Sequence, residues 1–114
     1  MIIIKDEETL EGLLFAYHPT LVKIVLFVFA YEGKICITCG YREGDIGVHG
    51  TVPCRGIDLR SWIYPNPQDI VDRVNSKWIY DPDRPDMKCA VLHATKSGAL
   101  HIHLQVHPNT KVIA

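Results

Sequence analysis

Apolar residues in the N-terminal third recur at helical spacing. Leu10, Leu13 and Leu14 share a face, which predicts a short amphipathic helix over 7–17. A second helix is predicted from Pro19, whose missing N–H is harmless in a first turn, to a stop at Gly33, with His18 starting it. Its apolar run over 21–30 is interrupted by Lys23 and spans ten residues. A membrane crossing needs about twenty, so this reads as a core helix. The period then changes. "KICIT" over 34–38 and "GIDLRSW" over 56–62 read as strands, separated by a loop over about 40–55 that is rich in glycine and charge. A third helix is predicted over "NPQDIVDRVNSKWIY", with Asn66 as cap, Pro67 at its first position and Ile70, Val74 and Trp78 on one face. "DPDRPD" breaks the chain. Strands over 89–94 and 100–106 follow, joined by a turn at "TKSG" with Gly98 in it. Trp62, Trp78 and Tyr80 read as core. Helices first and a small antiparallel sheet after them give an α+β fold.

A length of 114 residues predicts one domain over 1–114, with enough chain for one core. A net charge of −1 and the lack of any Lys/Arg cluster argue against nucleic acid, which demands a basic face. "MIIIKDEE" has an acid-rich flank and no small-residue cleavage site, so a secretory signal is not expected and the chain reads as cytoplasmic where it is made. Four cysteines include one C-x-x-C, "CITC". On a strand, positions i and i+3 face opposite ways, so Cys36, Cys39, Cys54 and Cys89 read as buried or half-buried free thiols rather than a metal or redox pair.

The histidines change the picture. Four of six lie within the eighteen residues 90–107. On a strand His101 and His103 share one face while Leu100, Ile102 and Leu104 take the other. The apolar set claims the core, so both imidazoles turn to a surface or cleft. One direct metal ligand with a neighbour beside it is the easier geometry for such a pair. His49, in a loop long enough to be functional, and Asp58, inside an apolar strand, supply further donors. A buried acid is costly alone, so Asp58 needs a partner: a metal ion, Arg42, Arg55 or Arg60. A catalytic zinc takes three protein ligands and keeps a fourth position open. His93 and His107 read as structural or supporting residues.

"ITCGYR", "VHGTVPCRGIDLR" and "HIH", in that order, resemble the M15 peptidases, the D-alanyl-D-alanine carboxypeptidase and phage endolysin group. These share a small α+β zinc fold with the lysostaphin-type enzymes and the hedgehog N-terminal domain. The resemblance covers roughly 37–106. It implies Zn2+ held by His49, Asp58 and His103, a substrate carboxylate bound by Arg42, and hydrolysis of an amide bond in peptidoglycan stem peptides. The family pattern S-x-H-x-x-G-x-A-x-D has about six residues between His and Asp where this chain has eight. Gly47 stands where the pattern has Ser, Cys54 and Gly56 occupy its small positions, and Cys39 precedes Gly-Tyr-Arg where Ser is usual. The family's carboxylate base before the last histidine is missing, because no acid follows Cys89. The lysostaphin-type branch uses a histidine there, which implies His101 as the catalytic base.

The small size and missing leader fit a phage lysis enzyme released by other means, with no membrane insertion. The competing readings are a non-catalytic, zinc-stabilised binding module on the same fold and a small globular protein without metal. The oligomeric state is left open.

Overall fold

Alternation along two central strands decides the architecture. The computed structural model describes residues 1–94 and 98–113. Its elements are β1 (Ile2–Ile4), α1 (Glu7–Gly12), α2 (Pro19–Glu32), β2 (Ile35–Cys39), β3 (Gly56–Arg60), α3 (Pro67–Lys77), β4 (Trp78–Ile79), β5 (Ala90–Ala94), β6 (Leu100–Gln105) and β7 (Lys111–Val112). Five strands form one sheet in the order β1-β2-β3-β6-β5; β4 and β7 form a small second one. Ile57 and Leu59 on β3, and Ile102 and Leu104 on β6, turn to one face of the large sheet. There they meet Leu21, Ile24 and Val28 of α2 and Ile70, Val71 and Val74 of α3 in a single buried core. Asp58, Arg60, His101 and His103 take the other face, since side chains alternate along a strand. The result is an α+β fold with three helices on a mixed sheet.

The helices follow their local signals. His18 caps α2, its Nδ1 accepting the Thr20 N–H at 3.2 Å, and Gly33 ends the helix at φ 76°, a left-handed conformation that suits glycine. Asn66 occupies the cap position of α3 without a side-chain bond, while Ile70, Val74 and Trp78 are buried as their spacing predicts. Asn75 then ties α3 to the sheet edge. Its amide nitrogen donates to the Ala90 carbonyl at 2.9 Å, and its oxygen accepts the Ala90 N–H at 3.0 Å. No helix among the described residues is long and apolar enough to cross a membrane.

Three expectations are corrected. The sheet is mixed rather than antiparallel, because β1 pairs in parallel with β2, Ile2 opposite Ile35. The first helix stops at Gly12 instead of reaching residue 17. A Cβ at Gly12 would overlap the Tyr41 carbonyl oxygen, so the chain there packs tightly on the loop following β2. The third helix ends at Lys77, and Trp78 and Ile79 pair with Val112 and Lys111. The hairpin of β5 and β6 forms as expected, His93 opposite His101. The turn residues 95–97 lie outside the described residues; Gly98 has φ 85°.

Candidate metal centre

Asp58 lies in mid-sheet, between β2 and β6. On β6 its register partner is His103, which brings the two side chains onto the same face. On β2 the register shifts by one residue: Ile37 pairs with Leu59, yet Cys39 pairs with Asp58. Such a bulge re-aims side chains and recurs beside active sites. Here it brings Cys39 alongside Asp58. The loop between β2 and β3 then folds back to supply His49 from a single 3-10 turn, Val48–Gly50. This loop is tied down throughout. The Arg42 N–H donates to the His49 carbonyl at 2.8 Å, the Arg55 N–H to the Val48 carbonyl at 3.2 Å, and the Gly47 N–H to Asp45 Oδ1 at 2.6 Å. A Cβ at Gly50 would overlap the Asp45 carbonyl oxygen, so only glycine fits this approach.

Two imidazoles converge on one oxygen of Asp58. His49 Nε2 lies 3.2 Å and His103 Nδ1 2.8 Å from Oδ1, while His101 Nε2 lies 3.5 Å from Oδ2. The outer nitrogens of both converging rings face oxygens that only accept. His49 Nδ1–H donates to the Gly40 carbonyl at 2.8 Å. His103 Nε2–H donates to Gln105 Oε1 at 3.0 Å, and Gln105 is held by its own amide donating to the Lys88 carbonyl at 2.8 Å. A neutral imidazole has one N–H. With that proton pointing outward, each neutral ring aims a bare lone pair at Oδ1. Three electron-rich atoms then meet in a buried spot, and either extra protons or a cation must lie among them. Outer-nitrogen partners of this kind are what orient a metal-bound histidine. A tetrahedral ion with arms of about 2.1 Å has ligand atoms about 3.4 Å apart. The separations of 3.2 and 2.8 Å from Asp58 Oδ1 are hydrogen-bond distances, shorter than that edge. Imidazole nitrogens and a carboxylate oxygen are donor types that metal ions take.

Cys39, His49 and Asp58 form a group that could hold a metal ion, each offering a donor atom within 4.8 Å of the others. Cys39 Sγ, however, approaches His49 on its Nδ1 side, at 3.7 Å, where the ring already donates to Gly40. Nε2 is the nitrogen left for a metal, and it faces Asp58 together with His103.

Electrostatics agree with this crowding. With only protons in the site, burial opposes a charge on His49, but the hydrogen bond and charge of Asp58, helped by Cys39, outweigh it and push the ring up to about 10. Burial also works against the charge of Asp58. Hydrogen bonds from His103 and His49, with their charges, outweigh it and hold the carboxyl well below the usual range. His101 moves the other way: burial lowers it, and His93, His103 and His49 add to that against the pull of Asp58.

The site opens into a cleft of about 900 Å³ whose lining includes Arg42, Arg60, Trp62, His93 and His101. His49, Asp58, His101 and His103 are therefore brought together, as the sequence suggests. The partners of Asp58 are imidazoles and none of the three arginines considered. Arg42 lies on the cleft wall, but its guanidinium is paired with Asp45 at 2.9 Å and its side chain is 55% exposed. Trp62, expected in the core, is a correction: it is 71% exposed at the cleft, because β3 ends at Arg60 and turns outward. Trp78 and Tyr80 are buried as expected. His107 leaves the site because β6 ends at Gln105; its Nδ1 lies 3.6 Å from Asp81. Cys39 and Gln105 escape the sequence reading. Gln105 carried a signal, a polar residue one strand repeat from His103 on the same face; Cys39 carried none, because nothing local announces the bulge.

Compared with models of known protein families, with curated proteins and with solved structures, the chain gives no match.

Proposed function

We propose that this chain is a zinc peptidase of the M15 type, on a hedgehog/DD-peptidase-like fold, hydrolysing an amide bond in peptidoglycan stem peptides. The observation that carries this reading is the convergence of His49 Nε2 and His103 Nδ1 on Asp58 Oδ1, with both outer nitrogens already donating. His49, Asp58 and His103 hold the ion. When bound, it supplies a Lewis acid that activates water and polarises the scissile carbonyl. Gly40 and Gln105 keep the two rings in the tautomer that leaves the inner nitrogens free. His101 shares the ligand face and lies 3.5 Å from Asp58 Oδ2, which supports it as the group that takes and returns a proton. A cleft of about 900 Å³ is the size of an ordinary small-ligand site and suits a short peptide.

One observation favours a second reading, a non-catalytic zinc-stabilised binding module. Asp58 is the only acid lining the cleft among the described residues, so no carboxylate is left to act as base. Zinc content and digestion of purified cell walls separate the two. The peptidase reading expects about one zinc per chain, wall solubilisation by the wild type, loss of zinc in His103→Ala, and loss of digestion with zinc retained in His101→Ala. Zinc bound without digestion favours the module. Equal digestion by all three proteins rejects the assigned roles.

A further inference from the structure

One oxygen of Asp58 is left over. Oδ1 takes both His49 and His103, but Oδ2 forms no hydrogen bond among the described residues. Its neighbour is His101 Nε2 at 3.5 Å, beyond hydrogen-bonding range. Asp58 is only 8% exposed and lines the cleft, and a carboxylate oxygen so confined needs a positive partner. The arginines of the cleft do not supply one. Arg42 is paired with Asp45 at 2.9 Å, and the Arg60 guanidinium carbon lies 4.9 Å from the centroid of the Trp62 ring.

A separation too long for a hydrogen bond is the one that two ligands of a tetrahedral ion keep, about 3.4 Å. A third donor is adjacent. His93 on β5 is the register partner of His101 on β6, so the two side chains share the cleft face. Their ring centroids are 5.0 Å apart, against 6.2 Å from His93 to His103. With metal–nitrogen arms of about 2.1 Å, two imidazoles on one tetrahedral ion have centroids about 5 Å apart. His93 is exposed, so its ring is free to present either nitrogen. A carboxylate with one ion on each oxygen is the bridge of two-metal sites, where the ions stand about 3.5–4 Å apart.

We propose that the cleft takes a second divalent cation, held by His93, His101 and Asp58 Oδ2, with Asp58 bridging it to the ion held by His49 and His103. This is the weaker of the two sites, because a second double charge enters beside the first and Lys5, Arg42 and Arg60 line the same cleft. Filling it takes from His101 the lone pair that a base needs, so excess metal restrains the centre. That restraint rests on the peptidase reading, whereas the site itself does not.

The test is a cobalt(II) titration of metal-stripped protein, with bound metal counted by equilibrium dialysis and its spin read by electron paramagnetic resonance. Cobalt takes the same nitrogen and oxygen donors as zinc. The wild type should bind a second equivalent at least about tenfold more weakly than the first, since the two charges repel. The signal per cobalt should fall as it binds, because ions bridged by one carboxylate couple; metal scattered over the surface would add signal in proportion. His93→Ala should keep the first equivalent and the wild-type melting curve. It should weaken the second by more than about 100-fold, the most that losing a ligand's hydrogen-bond partner costs. No bound cobalt, binding unchanged in His93→Ala, or a second equivalent without coupling would each overturn the proposal. A single equivalent that is lost in His93→Ala but kept in His49→Ala retains this site and removes the centre on which the peptidase reading stands.

Discussion

Zinc uptake should tighten steeply with rising pH. In the absence of metal His49 is pushed up to about 10 by Asp58, so near pH 7 the ring is held protonated and its Nε2 is not free. Zinc must displace that proton, and each pH unit between 6.5 and 8 should improve the dissociation constant by about tenfold. Across that window the change is about 30-fold from His49 alone. A chromophoric chelator, corrected for its own protonation, reports the constant. Calorimetry in buffers of different ionisation enthalpy should show release of at least about one proton per zinc at pH 7.5. The same linkage acts on stability with a fixed sign. The His49 value is raised on folding, so the pair stabilises the metal-free fold fully below about pH 6.5 and this is lost as pH rises through about 10. Asp58→Asn removes the cause: zinc affinity should fall and its pH dependence should flatten above pH 7. A dissociation constant that changes less than threefold from pH 6.5 to 8, with no proton released, would refute the reasoning.

Gln105→Leu should weaken zinc binding by about 10- to 100-fold without touching a ligand, because His103 loses the acceptor that fixes its tautomer; equilibrium dialysis measures it. Gly50→Ala forces a Cβ onto the Asp45 carbonyl and should destabilise the fold by about 1–3 kcal/mol, seen as a lower thermal midpoint together with weaker zinc binding. A thiol reagent should modify Cys39 first. Cys36, Cys54 and Cys89 are buried, and burial pushes the Cys89 thiol up to about 11, so these three should react only on unfolding. Mass spectrometry of briefly labelled native protein decides the order.

The legible parts of this chain were those governed by period. Alternation along 100–105 put Ile102 and Leu104 in the core and both histidines in the cleft, and spacing of four placed Ile70, Val74 and Trp78 in the core beneath the sheet. Asp58 announced itself because an acid in an apolar strand needs a partner. What escaped depends on contacts remote in sequence. β1 is three isoleucines at a sheet edge, all exposed, and its parallel pairing with β2 leaves no hairpin signal. The bulge that turns Cys39 toward Asp58 breaks the alternation by which the "CITC" cysteines were read. Trp62 looked like core by residue type, but the chain leaves the sheet two residues earlier. Arg42 was read as a substrate or Asp58 partner, and only the folded loop brings it onto Asp45 instead.

Diffraction from zinc-soaked crystals, recorded on both sides of the zinc absorption edge, tests the central claim most directly. The account predicts one strong anomalous peak bonded to His49 Nε2, Asp58 Oδ1 and His103 Nδ1, each at about 2.0–2.2 Å. A peak bonded to Cys39 in place of His103, or no peak among these three atoms in protein that binds zinc elsewhere, would contradict it.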